Sequence, residues 1–375
     1  MIYLDYSANT PVDTRVLEQF CAVERRCIGN ANSHHQAGSA AKAEIDAATI
    51  KIASLLGVQP AEIIYTSGAS EANNFALKGL ARLSRYAGRH IISTPLEHSS
   101  VSGTLTALQE QGYEIDLLDV KQDGTVDLEH LKDLLRPDTI CVAITLVDSE
   151  LGVVQPVQEI AAILKAYPHC HLHVDATQAV GKIPVSFEGV DTMSLTAHKF
   201  YGLNGIGLLI KRRNLALEPL IHGGESTTIY RSGTPTVALA SSLACALDLA
   251  VTDLPGHVGH VAKLNAELRA ALSTYPLVRI NSPDHAIPHV LNLSVRNVKG
   301  TVFQRELDAK GVCVSVKSAC SSDGLPSRAV FAVSRDRRNA LSSWRISLSH
   351  LTTEDEIKAF LQAFDVCYRE LTAVH

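Results

Sequence analysis

Glu62-Ile63-Ile64-Tyr65-Thr66-Ser67-Gly68-Ala69-Ser70-Glu71 decides the fold. Its first half is apolar over the length of a short strand, Ser67-Gly68 supplies a turn, and helical spacing then runs through Asn74, Leu77 and Leu80. Strand, glycine turn and helix make a βα unit, and the unit recurs. Arg89 to Ser93 reads as a strand, with Glu97-His98-Ser99-Ser100 opening the next helix, and Tyr113 to Leu118 reads as another, closing near Asp123-Gly124. Thr139 to Ile144 has the continuous apolar character of a strand buried on both faces, and His171 to Asp175 resembles it. This pattern predicts an α/β fold with a mainly parallel sheet and right-handed crossovers. Ligands in such sheets bind at the carboxyl ends of the strands, where Ser67 to Ser70, His98, Asp175 and Lys199 fall.

Outward from this centre the texture changes. Helical periodicity through Val16, Phe20 and Val23 and an alanine-rich helix from Ser39 to Leu56 precede the βα units. Beyond about Ala250 come a helix through Val258 to Val261, short strands such as Val290 to Ser294, and amphipathic helices at Val302 to Ala309 and Glu354 to Leu371. A chain of 375 residues exceeds what one core usually serves. The expected division is a large domain over residues 15–250 and a smaller α+β domain over residues 1–14 and 251–375, with the Pro255-Gly256 pair as a turn at the junction.

Composition narrows the function. Hydrophobic residues at 46% and charged residues at 19% suit a compact soluble enzyme better than a disordered or fibrous chain. Lys+Arg 34 against Asp+Glu 39 gives a net charge of -5 with no charge run, so direct nucleic-acid binding and attraction to a membrane are not expected. The N-terminus has no signal-like pattern and no apolar run approaches a membrane span, which predicts a cytoplasmic protein. Eight cysteines without a CxxC pair or zinc-like Cys/His spacing predict neither disulfides nor a metal site. Most, Cys313 among them, are expected to be buried small hydrophobes.

Several residues carry chemistry. In Ser194-Leu195-Thr196-Ala197-His198-Lys199-Phe200-Tyr201-Gly202, a lysine among small and polar residues follows a strand end, where a desolvated amine could form a Schiff base. Asp175 ends an apolar strand, and its carboxylate suits the pyridine nitrogen of pyridoxal phosphate, although an Asp there could also simply cap a helix. Gly68-Ala69-Ser70 at a helix start offers amides and a hydroxyl to a phosphate, and is otherwise an ordinary capped turn. Thr196 and His198 could add donors, and His98 could stack on a flat ring and exchange protons. Gly202-Leu203-Asn204-Gly205-Ile206-Gly207 lacks dinucleotide-loop spacing. Arg345 in Trp344-Arg345-Ile346 could grip a carboxylate or form a surface ion pair. Cys320, in the small-residue run Ser318-Ala319-Cys320-Ser321-Ser322, reads as an exposed loop thiol suited to nucleophilic attack.

Seven stretches, in order, resemble the cysteine desulfurases of the class V aminotransferase fold: Leu4 to Pro11, Thr66 to Asn74, Glu97-His98, His173 to Gln178, Ala197 to Gly202, Arg231 to Thr234, and Ser318 to Ser321. The last resembles the branch with a long mobile cysteine loop. The resemblance implies a type I aminotransferase-like fold, a large domain with a smaller α+β domain, and pyridoxal 5'-phosphate as cofactor. It implies Lys199 as the Schiff-base lysine, Asp175 on the pyridine nitrogen, His98 stacked on the ring, and Gln178 and Ser149 near the phenolic oxygen. Ala69, Ser70, Thr196 and His198 would hold the phosphate, with Thr234 reaching across from the second subunit of a homodimer. Arg345 and Asn9 would bind the substrate, L-cysteine, and Cys320 would take its sulfur as a persulfide for an acceptor protein, leaving L-alanine.

Departures from the family pattern are local. Ser149 stands where an asparagine is usual, Asn30-Ala31-Asn32-Ser33 lacks a proline, and Thr234-Pro235-Thr236 replaces Thr-Glu-Asn. The competing readings are a selenocysteine lyase, a cysteine sulfinate desulfinase-like enzyme, an aminotransferase, or a weakly active adaptor in sulfur transfer. Cys320 favours the desulfurase, since a transaminase has no use for a loop thiol. Iron-sulfur assembly, tRNA thiolation and DNA thiolation are all open as destinations of the sulfur.

Overall fold

The computed structural model describes residues 1–224, 226–317 and 325–373. In chain order the strands are β1 (Ile2–Tyr3), β2 (Ile63–Thr66), β3 (His90–Ser93), β4 (Glu114–Leu117), β5 (Thr139–Thr145), β6 (His171–Asp175), β7 (Thr192–Thr196), β8 (Gly207–Lys211), β9 (Val278–Ile280), β10 (Val290–Val295), β11 (Val312–Cys313) and β12 (Ser343–Ser347). Seven of them form the main sheet in the order β2-β8-β7-β6-β5-β3-β4. From β7 to β4 all neighbours are parallel, whereas β8 runs antiparallel to both β7 and β2. The reversal follows from chain length: residues 197–206 are fewer than the dozen or so a parallel crossover needs.

Every residue of β5, β7 and β8 is buried, which accounts for the continuous apolar character of β5. One core packs against the sheet through helices Thr14–Arg26, Gln36–Leu56 and Val237–Thr252, and another through helix Ala69–Leu83 with Phe75, Leu77 and Leu80. A third core gathers Leu4, Trp344, Phe303, Phe360 and Phe364 around the β12-β10-β9 sheet and the β1-β11 pair. The result is a large α/β part with a mainly parallel sheet and a smaller α+β part. The first residues belong with the latter, because Ile2 pairs with Val312 and Asp5 bridges to Ser347.

Three expectations are corrected. Pro255-Gly256 is not a turn: it lies in the first turn of helix Leu254–Leu272, where proline's missing N–H costs nothing. The alanine-rich helix starts at Gln36, before Ser39, because the His35 ring accepts a bond from the Gly38 amide at 3.2 Å. Four of the seven described cysteines, Cys21, Cys27, Cys245 and Cys313, are only partly buried, Cys313 because its two-residue strand pairs with β1, whereas Cys141, Cys170 and Cys367 are buried. No single helix among the described residues is long and apolar enough to cross a membrane.

Candidate active site

The carboxyl ends of β6 and β7 face the start of helix Ala69–Leu83 across a cleft of about 370 Å³. At the end of β7 a single 3-10 turn, Ala197–Lys199, throws the lysine into it. The Lys199 amine donates to the carbonyls of Ser7 at 2.7 Å and Ala8 at 2.6 Å. The N-terminal segment is held there in turn: the Thr10 amide and hydroxyl both donate to the His198 carbonyl at 3.0 Å, and the Tyr201 amide donates back to the Thr10 hydroxyl at 2.8 Å.

Asp175 ends β6 with both carboxylate oxygens engaged. Oδ1 accepts from the Thr177 amide at 2.9 Å, and Oδ2 accepts from Asn73 Nδ2 at 2.8 Å. Asn73 is fully buried and lies at the centre of a network, since its Oδ1 also meets His173 Nε2 at 3.0 Å and the Ser194 hydroxyl. Burial pushes His173 down to about 4, so the ring is neutral and donates through Nε2 to that oxygen.

His98 caps the helix Ser99–Gln109, its Nδ1 accepting from the Ser100 amide at 3.2 Å. Burial lowers its pKa, aided by Lys199 and opposed by Asp175, so the neutral ring carries its proton on Nε2. Its neighbour Glu97 is buried, accepts at Oε1 from the Thr94 hydroxyl at 2.8 Å and the Thr145 amide at 2.9 Å, and is pushed up by burial to about 8. At neutral pH this acid holds its proton.

Anion binding has a cradle. Helix Ala69–Leu83 starts at Gly68 without a side-chain cap, so its first amides face the cleft lined by Gly68, Ala69 and Ser70. Gly68 has φ of 156°, and a Cβ on Gly207 would lie 2.7 Å from the Gly68 Cα and 2.6 Å from the Leu195 carbonyl. Only glycine at both places lets the turn settle this close to the lysine strand. Thr196 Oγ1, 3.5 Å from where a Cβ on Gly68 would lie, is 3.1 Å from His198 Nδ1, and burial, with Lys199 and Lys182 adding to it, pushes His198 down to about 4. Glu71 at the rim is held below the usual carboxylate range: burial raises it, but bonds from Ser67 and Arg231 outweigh that, including an ion pair to Arg231 at 3.0 Å.

The class-V aminotransferase family profile matches residues 2–360. A cysteine desulfurase IscS of Dictyoglomus turgidum is 36% identical over 378 residues, covering 100% of this chain and 96% of its own. A solved NifS-like protein superposes with a TM-score of 0.91 at 36% identity, over 97% of this chain and 98% of the other. A solved structure of SspA in complex with cysteine gives 0.83 at 30% identity, over 94% and 100%. The chain belongs to the cysteine desulfurase family.

Ten of the residues expected in a desulfurase site line this one cleft: Ala69, Ser70, His98, Ser149, Asp175, Gln178, Thr196, His198, Lys199 and Arg345. Arg345 is buried rather than on the surface; Nη2 pairs with Asp5 Oδ1 at 3.0 Å and Nη1 donates to the Ser149 carbonyl at 2.7 Å, while Nε has no partner among the described residues. Two expected residues fall elsewhere. Asn9 turns its amide to the Thr10 carbonyl at 3.1 Å, leaving the cleft to Ser7 and Ala8, and Thr234 lines a separate recess with Arg231 and Pro235. Cys320 lies outside the described residues. Sequence reasoning missed Asn73, whose signal was an amide on the apolar face of a helix, and the Ser7 and Ala8 carbonyls, which no side-chain pattern reveals.

Proposed function

We propose that the protein is a pyridoxal phosphate-dependent cysteine desulfurase that converts L-cysteine to L-alanine and leaves the sulfur as a persulfide on Cys320. The observation that carries this reading is the convergence of Lys199, Asp175 and an uncapped helix start on one cleft. The donor set fits the cofactor: amides and hydroxyls for a phosphate, a carboxylate for a ring nitrogen, and a lysine amine for an aldehyde. When bound, pyridoxal phosphate would supply an electron sink for the Cα carbanion. Gly68 to Ser70, Thr196 and His198 would hold its phosphate, and Asp175 its ring nitrogen.

Lys199 would move the Cα proton. Its two carbonyl partners, Ser7 and Ala8, accept its hydrogens and keep the amine aimed into the cleft. Arg345 would bind the cysteine carboxylate. In the transfer, the Cβ–S bond breaks with its electron pair going to carbon, the Cys320 thiolate forms the new S–S bond, and protonation at carbon completes alanine. The persulfide would pass to an acceptor protein in the cytosol. We place the boundary of the smaller domain, expected at residues 1–14 and 251–375, at Asp253, between helices Val237–Thr252 and Leu254–Leu272, which pack into different cores.

The test incubates purified protein and pyridoxal phosphate with L-cysteine, with a thiol reductant to follow alanine and sulfide and without it to follow protein-bound persulfide. Equimolar alanine and sulfide are expected, with the persulfide abolished in Cys320→Ala while cofactor binding persists. Absence of alanine from wild type overturns the activity. Persulfide surviving in Cys320→Ala overturns the nucleophile assignment alone.

A further inference from the structure

Lys182, hydrogen-bonded to the cleft-lining Gln178, is 5% exposed. Its Nζ donates to Gln178 Oε1 at 3.0 Å, and among the described residues it has no ion-pair partner. The charged and titratable groups around it are cationic or neutral: Lys199, Arg345, His198 and His289. A buried lysine without a counterion is costly, and here burial first, then Lys199 and Arg345, pushes it down to about 7. Such a group persists where its hydrogen bond does something a leucine could not.

That bond has a definite consequence. In its protonated form the lysine only donates, so that form meets the oxygen of the Gln178 amide and not its nitrogen. Gln178 Nε2 is thereby turned the other way, where it donates to the Ser7 carbonyl at 2.9 Å. The same carbonyl accepts from Lys199 at 2.7 Å, so one chain of hydrogen bonds runs from Lys182 through Gln178 and Ser7 to Lys199. Nε2 carries a second hydrogen, and Gln178 lines the cleft.

We propose that Lys182 is a positioning residue that fixes the polarity of the Gln178 amide, so that the cleft presents an N–H donor and not a carbonyl to an anionic oxygen of its ligand. The inference rests on reading the cleft as a pyridoxal phosphate site, whose phenolic oxygen is the acceptor concerned. A flipped amide would set a carbonyl against that oxygen.

A double-mutant cycle on the full-length protein tests it, with pyridoxal phosphate affinity followed by visible absorbance. Lys182→Met should weaken binding about tenfold in an otherwise unaltered chain, as expected for loss of an oriented hydrogen bond to a charged group. In a Gln178→Ala background the same substitution should change affinity less than about twofold, because the amide it orients is gone. An equal loss in both backgrounds would mean a merely structural lysine and overturns the proposal, as does unaltered binding in Lys182→Met. A cofactor-free arm separates this from the reading of the cleft. In protein labelled with ¹⁵N at glutamine, the Gln178 side-chain amide signal should move in Lys182→Met, and an unmoved signal overturns the role of Lys182. Failure of wild type to take up pyridoxal phosphate would sink the reading of the cleft, and the amide signal would still decide the role of Lys182.

Discussion

Asp175 is a useful ligand to a ring nitrogen only if its carboxylate cannot swing away, and Asn73 is what holds it. Asn73→Ala strips a donor from Asp175 Oδ2 and an acceptor from His173 Nε2, both in buried surroundings. Leaving such groups unpaired costs about 1–3 kcal/mol. The variant should lose that much stability in denaturant unfolding and bind pyridoxal phosphate several-fold more weakly, whereas Asn73→Asp should not restore affinity because it sets two carboxylates together. Ser149→Asn, which gives the cleft the longer amide usual in the family, should tighten cofactor binding by up to about tenfold, one hydrogen bond's worth; an unchanged dissociation constant counts against a role for that position. Glu97 has a pH signature. Its folded-state pKa of about 8 lies above the ordinary 4.5, so the folded form keeps a proton that the unfolded chain releases. Its contribution to stability is full below pH 4.5 and drains away as pH rises to about 8. Glu97→Gln removes this dependence, so the melting temperature of the variant relative to wild type should be higher at pH 8 than at pH 5.

At the scale of elements, the site depends on two backbones coming closer than side chains allow. Gly207→Ala would drive a Cβ against the Leu195 carbonyl and the Gly68 Cα, neither of which can rotate away. Overpacking of this kind costs about 1–3 kcal/mol. Because the displaced atoms form the anion cradle, cofactor affinity should fall more than stability, and comparing the variant's melting shift without and with pyridoxal phosphate reads both. Legibility in the sequence divides along the same line. Strand β5 was legible because burial on both faces leaves an unbroken apolar run, β3 through its central Ile91-Ile92 pair, and His171 to Asp175 coincides with β6 residue for residue. Lys199, Asp175 and His98 were legible because strand ends feed the cleft. The reversal of β8 was not, since direction is set by connection length and not by strand composition. Nor was the burial of Arg345, because Asp5 lies 340 residues away along the chain and only folding brings them to 3.0 Å.

At the scale of the whole molecule, Thr234 is the residue that can test whether a second subunit completes the site. It lies in a recess with Arg231, Gly233 and Pro235, apart from the cleft that collects the other phosphate-binding candidates. Arg231, three residues away, is tied to Glu71 at the cleft rim, so the segment passes the site without delivering Thr234 to it. If Thr234 serves the partner's cleft in a homodimer, its loss and the loss of Lys199 must complement each other. In a mixed dimer of Thr234→Ala and Lys199→Ala chains, one cleft would carry both defects, and the other would combine an intact lysine with an intact threonine from the neighbouring subunit. Refolding an equimolar mixture should therefore restore a population that binds pyridoxal phosphate as tightly as wild type and forms alanine, at about one quarter of the wild-type site number for random pairing. A threonine acting within its own chain predicts no such population, because every cleft would then hold one defect. Titration of the mixture with cofactor distinguishes the two outcomes, and the absence of a tight class would assign Thr234 to the chain that carries it.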